Sequence, residues 1–205
     1  MDRVFVDALA SSASAPGGGA ACAYAGVFAT CLASMVANLT VGREKYAAVE
    51  SDMTARLDDL AGLRARLEEL VDDDEAAFSA VSQAYGMPRA TDEEKAARTD
   101  AIQQALYFAC EVPLEVVQIS AQVAEIARFM ALSGNKNVLA DAGACASLAR
   151  AAGQGASLMV LVNVRSMRDA DRAAAYETDM TQALDALNAL ADEVEAYATD
   201  HVGRK

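Results

Sequence analysis

The sequence predicts an all-α protein, an antiparallel bundle of about six helices. Hydrophobic residues make up 54% of the chain and are supplied largely by alanine, the strongest helix former. Aromatic residues are only 5%, and 12 glycines and 3 prolines are few for a fold of many short strands joined by turns. Apolar positions recur at steps of three and four rather than alternating, most plainly between Met53 and Tyr85. No composition shift or low-complexity linker divides the chain, so residues 1–205 read as a single domain.

The elements follow in order. A short helix is expected near residues 2–12, before Pro16 and the glycine run Gly17-Gly18-Gly19. A second runs from about Gly19 to Val41. Its stretch Ala20–Thr40 carries no charge and is about long enough to span a bilayer, but Ala, Gly26, Ser34 and Asn38 give it weak insertion energy. It reads as a buried central helix whose small residues let neighbours, including a second subunit, approach closely. A long helix from about Tyr46 to Tyr85 places Met53, Leu57, Leu60, Leu67, Val71, Phe78, Val81 and Tyr85 on one face, interrupted only by Arg64 and Asp74.

Pro88 lies in a polar connection. Thr91 and Glu94 have the spacing of a capping box and open a helix that continues past a kink at Pro113 to about Leu132, where Ser133 and Gly134 stop it. Another helix covers about Leu139–Ser166. The last covers about Asp171–Thr199, with Met180, Leu184, Leu187, Ala191 and Val194 as its apolar face.

Charge and cysteine usage narrow the function. A net charge of -13, from 30 acidic against 17 basic residues, repels phosphate backbones, and no basic cluster offsets it, so nucleic acid is not an expected partner. Cys22, Cys31, Cys110 and Cys145 form no CxxC pair, and the one histidine is His201, which points to reduced thiols and no metal site. The N-terminus lacks the basic start and continuous apolar run of a secretory signal, so the expected setting is cytoplasmic, without a membrane.

Within Asp72-Asp73-Asp74-Glu75, four successive helical positions are rotated by about 100° each, so they cannot all face water. The apolar stripe makes Asp74 the one that turns inward, to meet an ion-pairing Arg or Lys or else a ligand. Gly17, Gly18 and Gly19 precede a helix whose N-terminal amides can receive an anion, though the same residues also suit a tight turn. Gly134-Asn135-Lys136-Asn137 followed by Asp141 sets amides, a cation and a carboxylate at another loop-to-helix junction, where capping is the simpler use. With no internal histidine, metal cluster or GxSxG elbow, the available groups are carboxylates, Lys, Arg and amides. They suit hydrolysis of a substrate that is already electrophilic.

Four segments occur in an order that is more specific than any one of them: PGGG at 16–19, SMVANLTVGREKY at 34–46, VDDDEAAF at 71–78 and GNKNVLADA at 134–142. YGMPRATDEEKAAR at 85–98, EVPLEV at 111–116 and VLVNV at 160–164 extend the match over nearly the whole chain. In these the chain resembles the cyclodeaminase and methenyltetrahydrofolate cyclohydrolase family. The resemblance implies a helical homodimer acting on one-carbon tetrahydrofolate derivatives, with no metal or organic cofactor. Its members either hydrate 5,10-methenyltetrahydrofolate to the 10-formyl form or close 5-formiminotetrahydrofolate with release of ammonia. Cyclohydrolase is the preferred expectation, because no formiminotransferase domain is fused here to supply the formimino substrate. Carried onto this sequence, the catalytic candidates are Asp74 and Asp141. Lys45, Arg43 and the amides of Gly17, Gly18 and Gly19 suit the carboxylates of a glutamyl tail, and Asn38, Asn135, Asn137 and Asn163 suit the pterin or a catalytic water.

The chain departs from the family pattern at Ala20 and Ala140, where serine is common, at Arg89, where lysine is common, and at Met159, where asparagine is expected. Three of these remove a polar group from pocket positions, which leaves a shifted substrate or a non-catalytic folate-binding dimer as alternatives. A purely structural helical module built on the Met53–Tyr85 stripe is a third.

Overall fold

The computed structural model describes residues 3–202. Among them are six α-helices, two short 3-10 segments and no strand. The helices are α1 (Arg3–Leu9), α2 (Gly18–Asn38), α3 (Glu50–Gly86), α4 (Asp92–Ser133), α5 (Leu139–Val164) and α6 (Ala170–His201). The expected start of the first helix at residue 2 lies outside the described residues, and α1 ends at Leu9, short of residue 12. No residue of α1 is buried, and Phe5 docks edge-on against Tyr24 with ring centroids 4.5 Å apart. The long helix starts at Glu50 because residues Glu44–Val49 take the tighter 3-10 winding.

Local chemistry accounts for several boundaries. The Thr91 hydroxyl accepts from the Glu94 amide at 3.2 Å while the Glu94 carboxylate accepts from the Thr91 amide at 3.1 Å, closing the capping box of α4. Asp169 caps α6 by accepting from the Arg172 amide at 3.0 Å. Lys136 Nζ donates to the orphaned carbonyls of Ala131 and Leu132 at the end of α4, at 2.7 and 2.8 Å. The α-helix continues through Pro113.

From α2 onward, helices consecutive in the chain run antiparallel, as do α2 and α5, whereas α4 and α6 lie parallel, joined by Glu111 with Tyr176 and Arg128 with Glu193. Gly18 and Gly155 on opposite ends of their helices meet Met159 and Cys22 respectively, pairing α2 with α5. Arg66 with Glu115 pairs α3 with α4, and Ser147 with Glu195 pairs α5 with α6. Small residues set the spacing: a Cβ at Gly153 would overlap Leu187, and one at Gly26 would press on Leu67. The main core draws on α2 through α6, with Met53, Leu60, Leu67, Leu70, Met130 and Leu187 among its largest fully buried side chains.

The α3 stripe differs from its sequence reading in its second half. Met53, Leu60 and Leu67 are buried as expected, but the buried line continues through Leu70, Ala77 and Ala84, while Phe78 and Tyr85 are 46% and 49% exposed. A straight α-helix drifts by about 20° per heptad against a repeat of 3.5, so over 37 residues the core-facing seam moves to a neighbouring register. Phe78 is thereby turned out to the rim of a cavity.

The Gly18–Asn38 and Lys136–Val164 segments are long and apolar enough to cross a membrane by length and composition, with 50% and 44% of their apolar windows buried in the bundle.

Candidate active site

The acidic run on α3 is divided as helical geometry requires. Asp72 and Glu75 are exposed. Asp73 turns sideways to Arg66, whose guanidinium also holds Glu69 and Glu115. Asp74 turns inward and is half-buried, with no arginine or lysine partner among the described residues. Its Oδ2 accepts the backbone N–H of Ala20 at 2.9 Å, in the first turn of α2. Gly17, the N-cap of α2, offers no side chain, so a carboxylate from α3 satisfies one of the orphan amides instead. The approach is tight, since a Cβ at Gly19 would overlap the Asp74 carboxylate. Only glycine at 19 lets the two helices meet here.

A cavity of about 280 Å³ opens at this junction, floored by Gly17, Gly18, Gly19 and Asp74. Ala77, Phe78 and Val81 from α3, Ala109 from α4, and Met159, Val162 and Asn163 from α5 form its walls, with Ser14 and Ala15 at the mouth. Among these residues Asp74 is the one titratable side chain. Burial pushes its carboxyl above the ordinary 3.8, partly opposed by the Ala20 amide. Cys22, one turn further along α2, has its thiol pushed up by burial and then by the Asp74 charge. Asn163 donates its Nδ2 to the Ala109 carbonyl at 2.6 Å.

The sequence candidates divide into two sets. Gly17, Gly18, Gly19, Asp74 and Asn163 line the cavity together. Asn38, Arg43, Lys45, Asn135, Asn137 and Asp141 gather around the far end of α2 and the start of α5. The 21 residues of α2 separate the two sets by about 30 Å at 1.5 Å per residue. One copy therefore does not bring Asp141 to Asp74.

At the far end, Arg43 and Lys45 are exposed and form no ion pair among the described residues. Asn135 is buried and fully engaged: its Nδ2 donates to Leu39 O at 2.8 Å, its Oδ1 accepts from the Asn137 amide at 3.1 Å, and its own amide donates to Thr40 Oγ1 at 3.0 Å. It ties the end of α2 to the α4–α5 loop.

Phe78, Val81 and Ala109 were not legible as site residues. Phe78 and Val81 share the helical period of core residues, and nothing in the sequence distinguishes Ala109 from the other alanines of α4. Helix drift, as above, was the one available signal for Phe78.

Comparison with known proteins adds an independent line. The sequence model of the formiminotransferase-cyclodeaminase family matches residues 2–182. A methenyltetrahydrofolate cyclohydrolase from Methylorubrum extorquens is 46% identical over 167 residues, covering 82% of this chain and 80% of that one. A formimidoyltransferase-cyclodeaminase from Rattus norvegicus is 34% identical over 82% of this chain, which spans only 31% of the rat protein's length. The crystal structure of a formiminotetrahydrofolate cyclodeaminase from Thermotoga maritima superposes with a TM-score of 0.81 at 28% identity, covering 98% of this chain and 95% of that one.

Proposed function

The chain belongs to the formiminotransferase-cyclodeaminase family, and from that premise we propose that it is a methenyltetrahydrofolate cyclohydrolase whose general base is Asp74. The observation that carries this reading is a single half-buried carboxylate in an otherwise uncharged cavity. The methenyl bridge is an amidinium-like cation, so the carboxylate attracts it, and the apolar walls strengthen that attraction. Water attacks the methenyl carbon while Asp74 takes one of its protons. The C–N5 bond of the resulting adduct then breaks with the electron pair going to N5, which takes up a proton while the hydroxyl gives one up to become the formyl carbonyl, leaving 10-formyltetrahydrofolate. Overall, cation and water give product and one proton, so the step needs neither a metal nor an organic cofactor. A raised carboxyl pKa brings the base nearer to operating pH and makes each proton transfer less uphill.

The similarity to a cyclohydrolase over four fifths of both chains favours hydration over the second reading. That reading, closure of 5-formiminotetrahydrofolate with loss of ammonia, is supported by the structural likeness to the Thermotoga protein. Both reactions centre on one carbon between N5 and N10. Spectrophotometric loss of 5,10-methenyltetrahydrofolate, compared with Asp74→Asn and with no protein, tests the first. Ammonia release from 5-formiminotetrahydrofolate tests the second.

The same reading includes a homodimer and a cytoplasmic setting without membrane or nucleic acid. α2 carries no charged side chain, yet Phe28, Cys31 and Met35 on it, and Leu158 and Val162 on neighbouring α5, remain exposed. For copies that each carry a charge of -13, a contact centred on uncharged α2 is the least repulsive. A two-fold axis across the middle of this pair sets the Arg43, Lys45 and Asp141 end of one copy beside the cavity of the other. There the two cations would meet the glutamyl carboxylates, while Asn38, Asn135, Asn137 and Asp141 would border the folate. The four free thiols accord with a reducing compartment.

A further inference from the structure

The amide of Asn163 owes its orientation to a residue on a different helix. In a regular α-helix the N–H of residue 113 would bond the carbonyl of Ala109, but Pro113 has no N–H to give. The freed Ala109 carbonyl receives Asn163 Nδ2 from α5 instead, at 2.6 Å. A carbonyl only accepts, so the atom facing it is the nitrogen, and Oδ1 is the part left over. Among the described residues no group meets that oxygen, while Ala109 and Asn163 both line the cavity that holds Asp74.

We propose that Pro113 is a positioning residue, acting through the bare Ala109 carbonyl to hold Asn163 with its amide oxygen offered to the cavity as a fixed hydrogen-bond acceptor. The ligand group it recognises is an N–H or O–H donor. This sets the site apart from one that offers donors on every side: the first turn of α2 supplies N–H groups, and the Asn163 wall supplies the acceptor. The inference rests on the cavity being the folate site, and its test separates the two claims.

The experiment compares wild type, Pro113→Ala, Asn163→Ala and the double variant by steady-state kinetics with 5,10-methenyltetrahydrofolate, and follows the Asn163 side-chain amide by NMR. Pro113→Ala restores the N–H and lets the helix close on Ala109, so the fold is expected to be retained. The kcat/KM of Pro113→Ala and of Asn163→Ala should each fall about tenfold, the worth of one good hydrogen bond, and the double variant should be no worse than Asn163→Ala. The Asn163 NH2 pair, slow to exchange in wild type, should shift and exchange faster in Pro113→Ala. Asn163→Asp, which cannot donate to Ala109, should not rescue. Multiplicative kinetic losses, or an Asn163 amide signal unchanged in Pro113→Ala, would overturn the proposal. A wild-type protein inactive on the folate would overturn the functional reading instead, while the amide signal would still decide whether Pro113 positions Asn163.

Discussion

Asp74 on α3 and Ala20 on α2 are joined by one hydrogen bond of 2.9 Å, and the residue between the Gly18 amide and that contact has no side chain. The carboxylate thus serves two ends at once: it caps a helix that lacks a capping side chain, and it stands as the charged group of the cavity.

If Asp74 is the base, Asp74→Asn should lower kcat by about 10²–10⁴-fold. The asparagine oxygen still accepts the Ala20 amide, so the melting temperature should not drop. A variant with turnover within twofold of wild type would remove Asp74 from the mechanism.

The pH behaviour has a defined sign. Burial raises the folded-state pKa of Asp74 above 3.8. The group therefore adds stability below the unfolded pKa and loses it as pH rises through the raised folded value. At neutral pH the ionised carboxylate costs stability that Asp74→Asn should return, a difference that should vanish in acid melts. Activity needs the ionised form, so the acid limb of kcat/KM should lie above the ordinary carboxylate range. A limb at or below 3.8 would contradict the role.

Two neighbouring glycines should respond differently. Gly19→Ala drives a methyl into the Asp74 carboxylate and should cost about 1–3 kcal/mol in denaturant unfolding, with loss of activity. Gly17→Ala meets nothing within 4 Å at a φ of -122° and should leave stability nearly unchanged.

A site shared across a two-fold axis predicts complementation. Mixing inactive Asp74→Asn with inactive Asp141→Asn, after dissociation and reassociation, should restore up to about a quarter of wild-type activity, because half the dimers are mixed and each then has one intact site. Mixtures as inactive as their components would argue for sites contained within one copy.

Asn135→Ala should act on stability first. It strips Leu39 O and the Asn137 amide of partners in a buried junction, a loss of about 1–3 kcal/mol. Unchanged stability with a raised KM would instead favour direct substrate contact.

The sequence by itself determined the helices, because their signals are local: the Thr91–Glu94 box, the glycine run before α2 and the three-and-four spacing of α3 lie within a few turns of the structure they specify. It also singled out Asp74, since 100° per residue allows only some members of an acidic run to face water. Tertiary structure alone decided what Asp74 meets. An arginine was a reasonable partner, yet Arg66 went to Asp73, and a backbone amide 54 positions away went to Asp74. It alone decided that the candidates fall into two sets at opposite ends of α2, and that Phe78 faces the cavity. The link from Pro113 through Ala109 to Asn163 is of the same kind. A proline reveals in sequence that a carbonyl is left bare, but which side chain reaches that carbonyl depends on the packing of two helices, and no local pattern records it.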